Sequence, residues 1–341
     1  MTILITGGCG FIGSNFITSW LSDNTEEIWN VDNLTYASNR AYASDKPLYN
    51  FIKGDIRDTD LLKDIIKTIQ PRAIINFAAE THVDNSINSP RLFVDTNING
   101  TYGLLEASLA YWRSLSSSQR KTFRLINIST DEVYGSLKKD QASFTETSSI
   151  NPNSPYSASK ASADSLARAF FKTYGLPIIT TRCSNNFGPF QHKEKLIPTV
   201  VHSILSGEKI PIYGNGQQIR DWIYVQDHIA AVRALLRCGL PGHTYNIGGD
   251  NELQNIVLIQ LICNYFELKY DSPKGGLFNK LAHFVDDRPG HDLRYSVSCQ
   301  KIKKEIGWSS KYDFGKALGS TIDSLAAAFT SDNASNFGLA S

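Results

Sequence analysis

The sequence has no long apolar run, and this absence is the first guide to its class. No stretch approaches the roughly 18 consecutive apolar residues that a membrane-spanning helix needs, so we expect no membrane partner. The first residues lack the basic start of a signal peptide and reach glycine at position 7, so no export signal is predicted.

The sequence also has no excess of charge of one sign. Lys and Arg number 34 while Asp and Glu number 33, which gives a net charge of +1. A near-neutral chain shows no global signature of nucleic-acid binding, so no nucleic-acid partner is expected. Hydrophobic residues make up 41% and charged residues 20%, which is typical of a globular protein and excludes a mainly disordered one.

Cysteine is scarce, and its spacing excludes a disulfide framework. The 5 cysteines are an odd number, far apart and without a Cys-x-x-Cys motif: Cys9, Cys183, Cys238, Cys263 and Cys299. This usage is typical of reduced thiols, so we expect a cytoplasmic protein. Histidine and cysteine pairs at ligand spacing are missing too, so no metal site is predicted.

Short β-rich runs alternate with amphipathic stretches up to about residue 185. Strands are predicted at 2–6, 28–32, 48–54, 73–78, 123–129 and 178–183. Helices are predicted at 10–21, 59–70, 90–115 and 156–174, with a loop at 116–121. This alternation predicts an α/β fold of the Rossmann type, in which helices cover a doubly wound parallel sheet.

The pattern of predicted elements changes near residue 185, after which glycine, proline and asparagine separate shorter elements. We expect residues 1–185 to form a first domain and residues 186–330 a smaller C-terminal α/β domain that binds the substrate. Segments near 222–247 are expected to return to the first domain. The small polar residues at 331–341 predict a flexible tail.

A glycine-rich turn follows the first predicted strand and opens the first helix. Gly7, Gly10 and Gly13 allow a tight turn, a close approach to a pyrophosphate and close packing of helix on strand. The helix N-terminus adds N–H donors and a positive dipole. This strand–turn–helix context predicts a dinucleotide site, which a lone glycine string would not.

Asp32 ends the second predicted strand, 25 residues after Gly7. Its carboxylate suits both hydroxyl groups of an adenosine ribose and would repel a 2′-phosphate. Neither Arg nor Lys follows at once, since the next residues are Asn33 and Leu34. The sequence therefore predicts NAD rather than NADP.

Tyr156 and Lys160 stand four residues apart, on one face of a predicted helix. A phenol has a pKa of about 10 and is a poor base at neutral pH. A neighbouring ammonium group stabilises the phenolate and lowers that pKa. The spacing is common by chance, but after a nucleotide-binding turn it predicts the acid/base pair of an oxidoreductase.

Two adjacent carboxyl groups, Asp131 and Glu132, follow Thr130 and the fifth predicted strand. The tip of that strand faces the nicotinamide in this architecture. A plain oxidoreductase needs one tyrosine and one hydroxyl donor, whereas an elimination needs a second acid and a second base. The pair therefore indicates an elimination as well as an oxidation.

Together, the glycine turn, the carboxyl pair and the Tyr-x-x-x-Lys helix resemble the extended short-chain dehydrogenase/reductases. More narrowly, they resemble the members that remove water from thymidine diphosphate glucose. The similarity runs to about residue 325 and includes the runs 80–84, 184–189, 195–198, 216–222 and 287–292. Thr81, Phe187 and Phe190 depart from the family pattern without removing a catalytic group.

The resemblance implies an NAD-dependent hydro-lyase that makes a 4-keto-6-deoxy sugar nucleotide. Tyr156 would take the proton of the 4-hydroxyl while NAD oxidises carbon 4, and hydride would later return to carbon 6. Glu132 would remove the proton on carbon 5, and Asp131 would protonate the departing 6-hydroxyl. Thr130 would hydrogen-bond the 4-oxygen, and Lys160 the nicotinamide ribose.

The expected contacts lie in the glycine turn, at successive strand ends and in the second domain. Expected cofactor contacts are Gly7, Gly10, Phe11, Ile12, Gly13, Asp32, Asn33, Leu34, Thr35, Asp55, Ile56, Phe77, Ala78, Ala79, Thr81, Thr96, Tyr156, Lys160 and Asn186. Expected substrate contacts, whose cations would meet a diphosphate, are Thr81, His82, Thr130, Asn185, Lys195, Leu196, Pro211, Tyr213, Arg220, Asn255, Arg288 and His291.

Two alternatives remain open at this point. A UDP-sugar 4-epimerase, dehydratase or decarboxylase of the same family would use the same tyrosine, lysine and NAD. A non-catalytic NAD-binding module would keep the glycines and tolerate loss of Tyr156 or Lys160. The resemblance also implies a homodimer through a four-helix bundle, with 90–115 and 156–174 as the candidate helices.

Overall fold

The computed structural model describes residues 2–23, 25–39, 46–270 and 275–336. Its strands are β1 (Thr2–Thr6), β2 (Glu27–Asp32), β3 (Tyr49–Lys53), β4 (Ala73–Asn76), β5 (Arg124–Thr130), β6 (Ile178–Cys183), β7 (Asn185–Phe187), β8 (Ile210–Tyr213), β9 (Ile219–Tyr224), β10 (Thr244–Ile247), β11 (Glu252–Gln254) and β12 (Ala282–Val285). Its α-helices are α1 (Phe11–Asp23), α2 (Thr59–Ile69), α3 (Val83–Asn88), α4 (Pro90–Phe93), α5 (Thr101–Ser114), α6 (Ser117–Thr122), α7 (Pro155–Tyr174), α8 (Leu196–Ser206), α9 (Val225–Cys238), α10 (Asn255–Lys269), α11 (Gly276–Leu281), α12 (Gln300–Ile306) and α13 (Phe314–Asn336). A π-helix (Val94–Gly100) and a 3₁₀-helix (Asp131–Tyr134) complete the described elements.

Seven strands form the main sheet in the order β10-β6-β5-β4-β1-β2-β3. All neighbouring strands in it are parallel. The order reverses between β1 and β4, and doubly wound folds bind ligands at this switch point. The sheet confirms the predicted Rossmann-type fold.

The strands of the main sheet are apolar because helices cover both of its faces. Within β1, Ile3 and Ile5 join a core shared with α1 and α9, whereas Leu4 joins a core shared with α2, α5 and α7. All three side chains are fully buried. A strand buried on both faces shows a continuous apolar run rather than alternation, which is the pattern used to predict it.

A smaller part of the molecule is built on two short sheets. One has the order β11-β9-β7 and the other pairs β12 with β8. Their core takes Ile197 from α8, Leu258 from α10 and Leu318 from α13. In the segment near 222–247, β10 lies in the main sheet and α9 packs beside it, but β9 lies in the small sheet. The domain division at residue 185 stays a prediction.

The single helix predicted over 90–115 is interrupted by the π-helix. The wider turn directs Asn97 inward, where it donates to the Glu80 carbonyl oxygen at 3.0 Å and to Ser159 Oγ at 2.8 Å. It also accepts from the Glu80 N–H at 2.9 Å. Glu80 follows β4 and Ser159 lies on α7, so the change from α-helix to π-helix depends on tertiary contacts.

Two local predictions were incomplete. The loop predicted at 116–121 is instead α6, since Ser116 and Gln119 form a capping box that starts a helix in a polar sequence. Helix α13 reaches Asn336, so the described part of the expected flexible tail is helical, and 337–341 lie outside the described residues. None of the helices that the structure describes is long and apolar enough to cross a membrane.

A buried ion pair joins α7 to β6. Arg182 Nε lies 2.9 Å from Asp164 Oδ2, and both residues are buried. Arg182 also donates to the Tyr134 hydroxyl at 2.9 Å, and Asn127 donates to the second Asp164 oxygen at 3.3 Å. These contacts therefore connect α7, β5, β6 and the 3₁₀-helix beneath the carboxyl edge of the sheet.

Arg182→Met should lower the free energy of unfolding by about 3–5 kcal/mol, because it leaves the Asp164 carboxylate buried without its cation. Urea unfolding followed by circular dichroism measures the loss. Arg91→Met is the control, since Arg91 is 86% exposed and pairs with Asp95 at 2.8 Å. That exposed pair should contribute less than about 1 kcal/mol, so equal losses in the two variants would contradict the prediction.

Candidate active site

A cleft of about 870 Å³ opens at the carboxyl edge of the main sheet. It is lined by the glycine turn, by the ends of the central strands and by residues from the smaller sheets and α10. Every residue predicted for cofactor, substrate or catalysis lines this cleft, with the exception of Leu34. The structure therefore brings the predicted set together, although the role of each residue stays a prediction.

The glycine turn approaches β4 too closely for a side chain. Gly7 has a φ of +73°, and a Cβ atom there would lie 2.4 Å from the backbone nitrogen of Ala78. A Cβ on Gly13 would lie 2.6 Å from the Gly7 carbonyl oxygen, whereas Gly10 meets the same oxygen only at 3.4 Å. Gly7 and Gly13 are therefore required by the packing of the turn itself, which leaves the N-terminus of α1 open to the cleft.

Backbone donors fix the carboxylate of Asp32 at the end of β2. Its Oδ2 accepts from the Cys9 N–H at 2.8 Å, and its Oδ1 accepts from the Leu34 N–H at 2.8 Å. Leu34 adopts a left-handed φ of 58°, so this residue positions Asp32 instead of lining the cleft. Oδ1 also accepts from Ser38 Oγ at 3.4 Å, whereas Oδ2 keeps a further acceptor site that suits a ribose hydroxyl group.

Asp55 forms the next rim of the cleft. It accepts from Asn33 Nδ2 at 2.8 Å, and Arg57 pairs with it through Nε at 2.9 Å and Nη2 at 2.6 Å. The Arg57 guanidinium holds the pKa of this carboxyl below its usual range. Sequence reasoning missed Arg57, although the Asp-x-Arg spacing at a strand end was a signal for it.

The end of β5 presents Thr130, Asp131 and Glu132 to the cleft. Thr130 caps the 3₁₀-helix, and its Oγ1 accepts from the Glu132 N–H at 3.3 Å and donates to Asp131 Oδ1 at 3.4 Å. Asp131 is only 2% exposed, and its Oδ2 has no hydrogen-bond partner among the described residues. This carboxyl group is therefore buried with one oxygen uncommitted.

The two adjacent carboxyl groups differ in their electrostatic surroundings. Burial, with smaller contributions from Glu132 and Asp221, raises the pKa of Asp131 well above its usual value. Burial also raises the pKa of Glu132, but Arg288, Arg220 and Lys195 oppose that shift. The site thus favours the protonated acid at Asp131 and counteracts protonation at Glu132, which is a division suited to one acid and one base.

Helix α7 places Tyr156 and Lys160 beside these carboxyl groups. Ser154 caps the helix, and the Thr130 hydroxyl, as a hydrogen-bond donor, acts to lower the pKa of Tyr156. Lys160 Nζ donates to the Ile128 carbonyl oxygen at 2.7 Å. Burial, and next the charge of Glu132, raise the pKa of Tyr156 well above its usual value, so the lysine alone does not supply the lowering expected from the sequence.

Three cations meet at the other end of the cleft. Arg220 is 4% exposed, stacks with its Cζ 4.3 Å from the Tyr295 ring centroid, and donates to carbonyl oxygens. Lys195 Nζ donates to the Thr81 carbonyl oxygen at 3.0 Å. The buried Nε of Arg288 has no hydrogen-bond partner among the described residues. Such a cluster fits a diphosphate.

Buried polar side-chain atoms near these cations lack hydrogen-bond partners among the described residues. The side-chain oxygens of Asn185 and Asn255 are buried without a hydrogen-bond partner in the described part of the chain. Burial is the first cause that lowers the pKa of His291 to about 4, despite its 2.6 Å contact with Asp287. Since buried polar groups are normally paired, the unpaired amides indicate a polar ligand in this part of the cleft.

Several lining residues besides Arg57 were not predicted from the sequence, among them Tyr36, Asp84, Glu194 and Tyr295. Asp84 accepts from the Tyr213 hydroxyl at 3.2 Å and lies 3.6 Å from Arg288 Nη1. These contacts span more than 100 residues of sequence, so spacing gave no signal for them. Asp84 belongs to the resembling run 80–84, and Glu194 and Tyr295 lie close to two other runs, which was the hint that the sequence offered.

Asp131→Asn should stabilise the fold increasingly as the pH rises above about 4. The folded pKa of Asp131 is raised above its unfolded value, so the wild type loses stability as pH rises through the folded pKa. The neutral amide avoids that loss, and the two proteins should unfold together at pH 4. Thermal unfolding from pH 4 to 9 measures the difference, and a difference independent of pH would contradict the buried acid.

The fold and the cleft together define a nucleotide-dependent enzyme of the dehydratase class. Residues 4–321 match the family model described as GDP-mannose 4,6 dehydratase, and the chain belongs to this family. The chain is 47% identical over 325 residues to a dTDP-glucose 4,6-dehydratase of Xanthomonas campestris pv. campestris (strain B100), covering 94% of this chain and 92% of the relative. A dTDP-glucose 4,6-dehydratase of Escherichia coli is also 47% identical, over 335 residues, with 94% and 92% covered.

A solved structure gives the same result in three dimensions. The crystal structure of DesIV, a dTDP-glucose 4,6-dehydratase from Streptomyces venezuelae with NAD and TYD bound, matches with a TM-score of 0.86. The two sequences are 39% identical, and the match covers 98% of each chain. The resemblance to these dehydratases that the sequence motifs indicate is thereby confirmed.

Proposed function

We propose that this protein is an NAD-dependent hydro-lyase that converts dTDP-glucose to dTDP-4-keto-6-deoxyglucose. The observation that carries the proposal is the pair of adjacent carboxyl groups beside Tyr156, the buried Asp131 and the half-buried Glu132. Burial raises the pKa of both, but three cations oppose that shift at Glu132. An epimerase needs oxidation and reduction at carbon 4 but no second acid and base. A nucleotide-binding module needs none of the three residues.

The cleft fits NAD at the glycine-turn end. Gly7 and Gly13 let the turn pack tightly, which leaves the N-terminus of α1 open to a pyrophosphate, and Asp32 Oδ2 keeps an acceptor site for the ribose. Arg57 is occupied by Asp55, so this rim does not favour a 2′-phosphate. When bound, NAD would supply the oxidant for carbon 4 and the reductant for carbon 6.

Tyr156 acts as the base for the sugar 4-hydroxyl, with Thr130 hydrogen-bonded to the same oxygen. The pKa of the Tyr156 phenol is raised, so nearby positive charge is needed to stabilise the phenolate that accepts the proton. Lys160 on the same helix face and a positively charged nicotinamide ring provide that charge. Oxidation at carbon 4 then makes the neighbouring proton on carbon 5 acidic.

Glu132 and Asp131 carry out the elimination. Glu132 removes the proton on carbon 5, and Asp131 donates its proton to the departing 6-hydroxyl, which leaves as water. Glu132 later returns a proton to carbon 5 when carbon 6 is reduced. The supporting observations are the raised pKa of Asp131 and the three cations that oppose protonation of Glu132.

The nucleoside diphosphate lies against the cation cluster in this proposal. Arg220 and Arg288 offer planar forks and Lys195 a point charge, a combination suited to two adjoining phosphates. Tyr213 stands at the exposed rim, with its ring 6.4 Å from that of His291, where a base would lie. The choice of thymidine rests on the names of the relatives, because one methyl group adds only about 1–3 kcal/mol of discrimination.

Glu132→Gln and Asp131→Asn should each slow loss of water by about 10²–10⁴-fold, since each removes one group of the acid–base pair. Mass spectrometry of dTDP-glucose and UDP-glucose, incubated side by side, measures the dehydrated product. Glu106→Gln is the matched control, because Glu106 lies on α5 and pairs with Lys63 at 2.7 Å. Dehydration at the wild-type rate in both variants would overturn the assignment, and dehydration of neither sugar by the wild type would overturn the function.

No disulfide joins any of the five cysteines, all of which lie in the described part of the chain, and Cys238 and Cys299 are not buried. Free exposed thiols persist in a reducing compartment and oxidise outside it. We therefore propose that the enzyme acts in the cytoplasm.

We also propose a homodimer in which α5 and α7 pair with the same helices of a second copy. An apolar groove runs along the outer face of α7 between Ile98, Ile150 and Leu166. Large apolar side chains are exposed beside it, among them Tyr102 and Tyr174. Burying these faces against each other would form a four-helix bundle.

Ala169→Arg should halve the mass measured by light scattering, because Ala169 lines the groove and a charged side chain there would be buried unpaired. Ala230→Arg is the control, since Ala230 is an exposed alanine on α9, across the main sheet. A mass unchanged by Ala169→Arg, or one halved equally by both substitutions, would contradict this interface.

A further inference from the structure

After each turnover of the proposed reaction, Tyr156 carries one proton more than at the start and Asp131 one fewer. At the start Tyr156 is a phenolate, Asp131 is an acid and Glu132 is a carboxylate. Tyr156 gains the proton of the 4-hydroxyl, and Asp131 loses its proton to the departing water. Glu132 takes a proton from carbon 5 and gives one back. The next turnover therefore requires one proton to pass from Tyr156 to Asp131.

The side chain of Thr130 lies between the donor and the acceptor of that proton. The Thr130 hydroxyl acts on Tyr156 as a hydrogen-bond donor that lowers the pKa of the phenol, and both side chains line the same cleft. Thr130 Oγ1 lies 3.4 Å from Asp131 Oδ1. A hydroxyl group can accept one hydrogen bond while donating another, so Thr130 can connect the two groups without a change in its own charge.

We propose that Thr130 is the proton bridge that resets the active site, a role that rests on the proposed dehydration. The Tyr156 hydroxyl proton passes to Thr130 Oγ, and the Thr130 hydroxyl proton passes to Asp131 Oδ1. The phenolate and the carboxylic acid are thereby restored. Charge and atoms balance within the three side chains, so the step needs no oxidant, reductant or added acid.

The surroundings favour an internal route over exchange with bulk water. Thr130, Asp131 and Tyr156 are all buried, and a bound sugar nucleotide would cover them further. Burial raises the pKa of Asp131 well above its usual value, so the Asp131 carboxylate left after the elimination is a strong acceptor for the returning proton. Cys183, which also lines the cleft, instead donates to the Ser129 carbonyl oxygen at 3.3 Å, and burial raises the pKa of its thiol to about 12.

The test compares the first turnover with later turnovers in Thr130→Val and Thr130→Ser. Valine has the shape of threonine without the hydroxyl, whereas serine keeps it. Enzyme equilibrated with buffer is mixed with excess dTDP-glucose in a rapid-quench instrument, and dehydrated product per active site is followed by mass spectrometry. Circular dichroism of both variants verifies that they fold.

Thr130→Val should form about one product per active site and then continue at least about 10-fold more slowly, as expected when an acid–base route is lost. Thr130→Ser should show no such burst, because its hydroxyl preserves the route. The same slowing of first and later turnovers in Thr130→Val would overturn the reset role and leave Thr130 only as a contact to the 4-oxygen. Absence of product from the wild type would instead overturn the proposed function.

Discussion

The docking of α7 on the ends of β5 and β6 is the contact on which the site depends. The Lys160 ammonium is anchored on the Ile128 carbonyl oxygen of β5, and Asp164, one turn further along α7, holds Arg182 of β6. These polar contacts are buried, so each would be costly to leave unpaired. They fix the rotation of the helix and hence the place of Tyr156 beside Thr130. The acid–base chemistry therefore depends on a structural ion pair that never touches a ligand.

At the end of β5, two carboxyl groups that are adjacent in the sequence have different electrostatic surroundings. Asp131 and Glu132 are neighbours in the chain, but their surrounding charges differ. Arg288, Arg220 and Lys195 all oppose the rise in the pKa of Glu132, whereas Arg220 opposes the rise at Asp131 and the Glu132 charge adds to it. Burial acts on both carboxyl groups, and the cations act mainly on one. The different charges around the two carboxyl groups thus suit them to different acid–base roles.

The sequence allowed prediction of those features that depend on local pattern. The bounds of β1 and β6 follow from apolar runs, and the Gly7 turn from its place after β1. What it missed depends on contacts between distant residues: the π-helix needs the Glu80 backbone beside Asn97, and the contact of Asp84 with Tyr213 joins distant parts of the chain. Leu34, predicted as a cofactor contact, has the turn geometry that fixes Asp32 instead. Composition and periodicity carry no information on such pairs.

The shared use of the three cations has a consequence for timing. Lys195, Arg220 and Arg288 oppose protonation of Glu132, and the same groups are suited to hold a diphosphate. Two negative groups that draw on one positive cluster are thermodynamically linked, so a diphosphate seated there would screen the cations and make Glu132 a stronger base. Binding of the diphosphate would thus raise the basicity of Glu132 through electrostatics alone, without movement of the backbone.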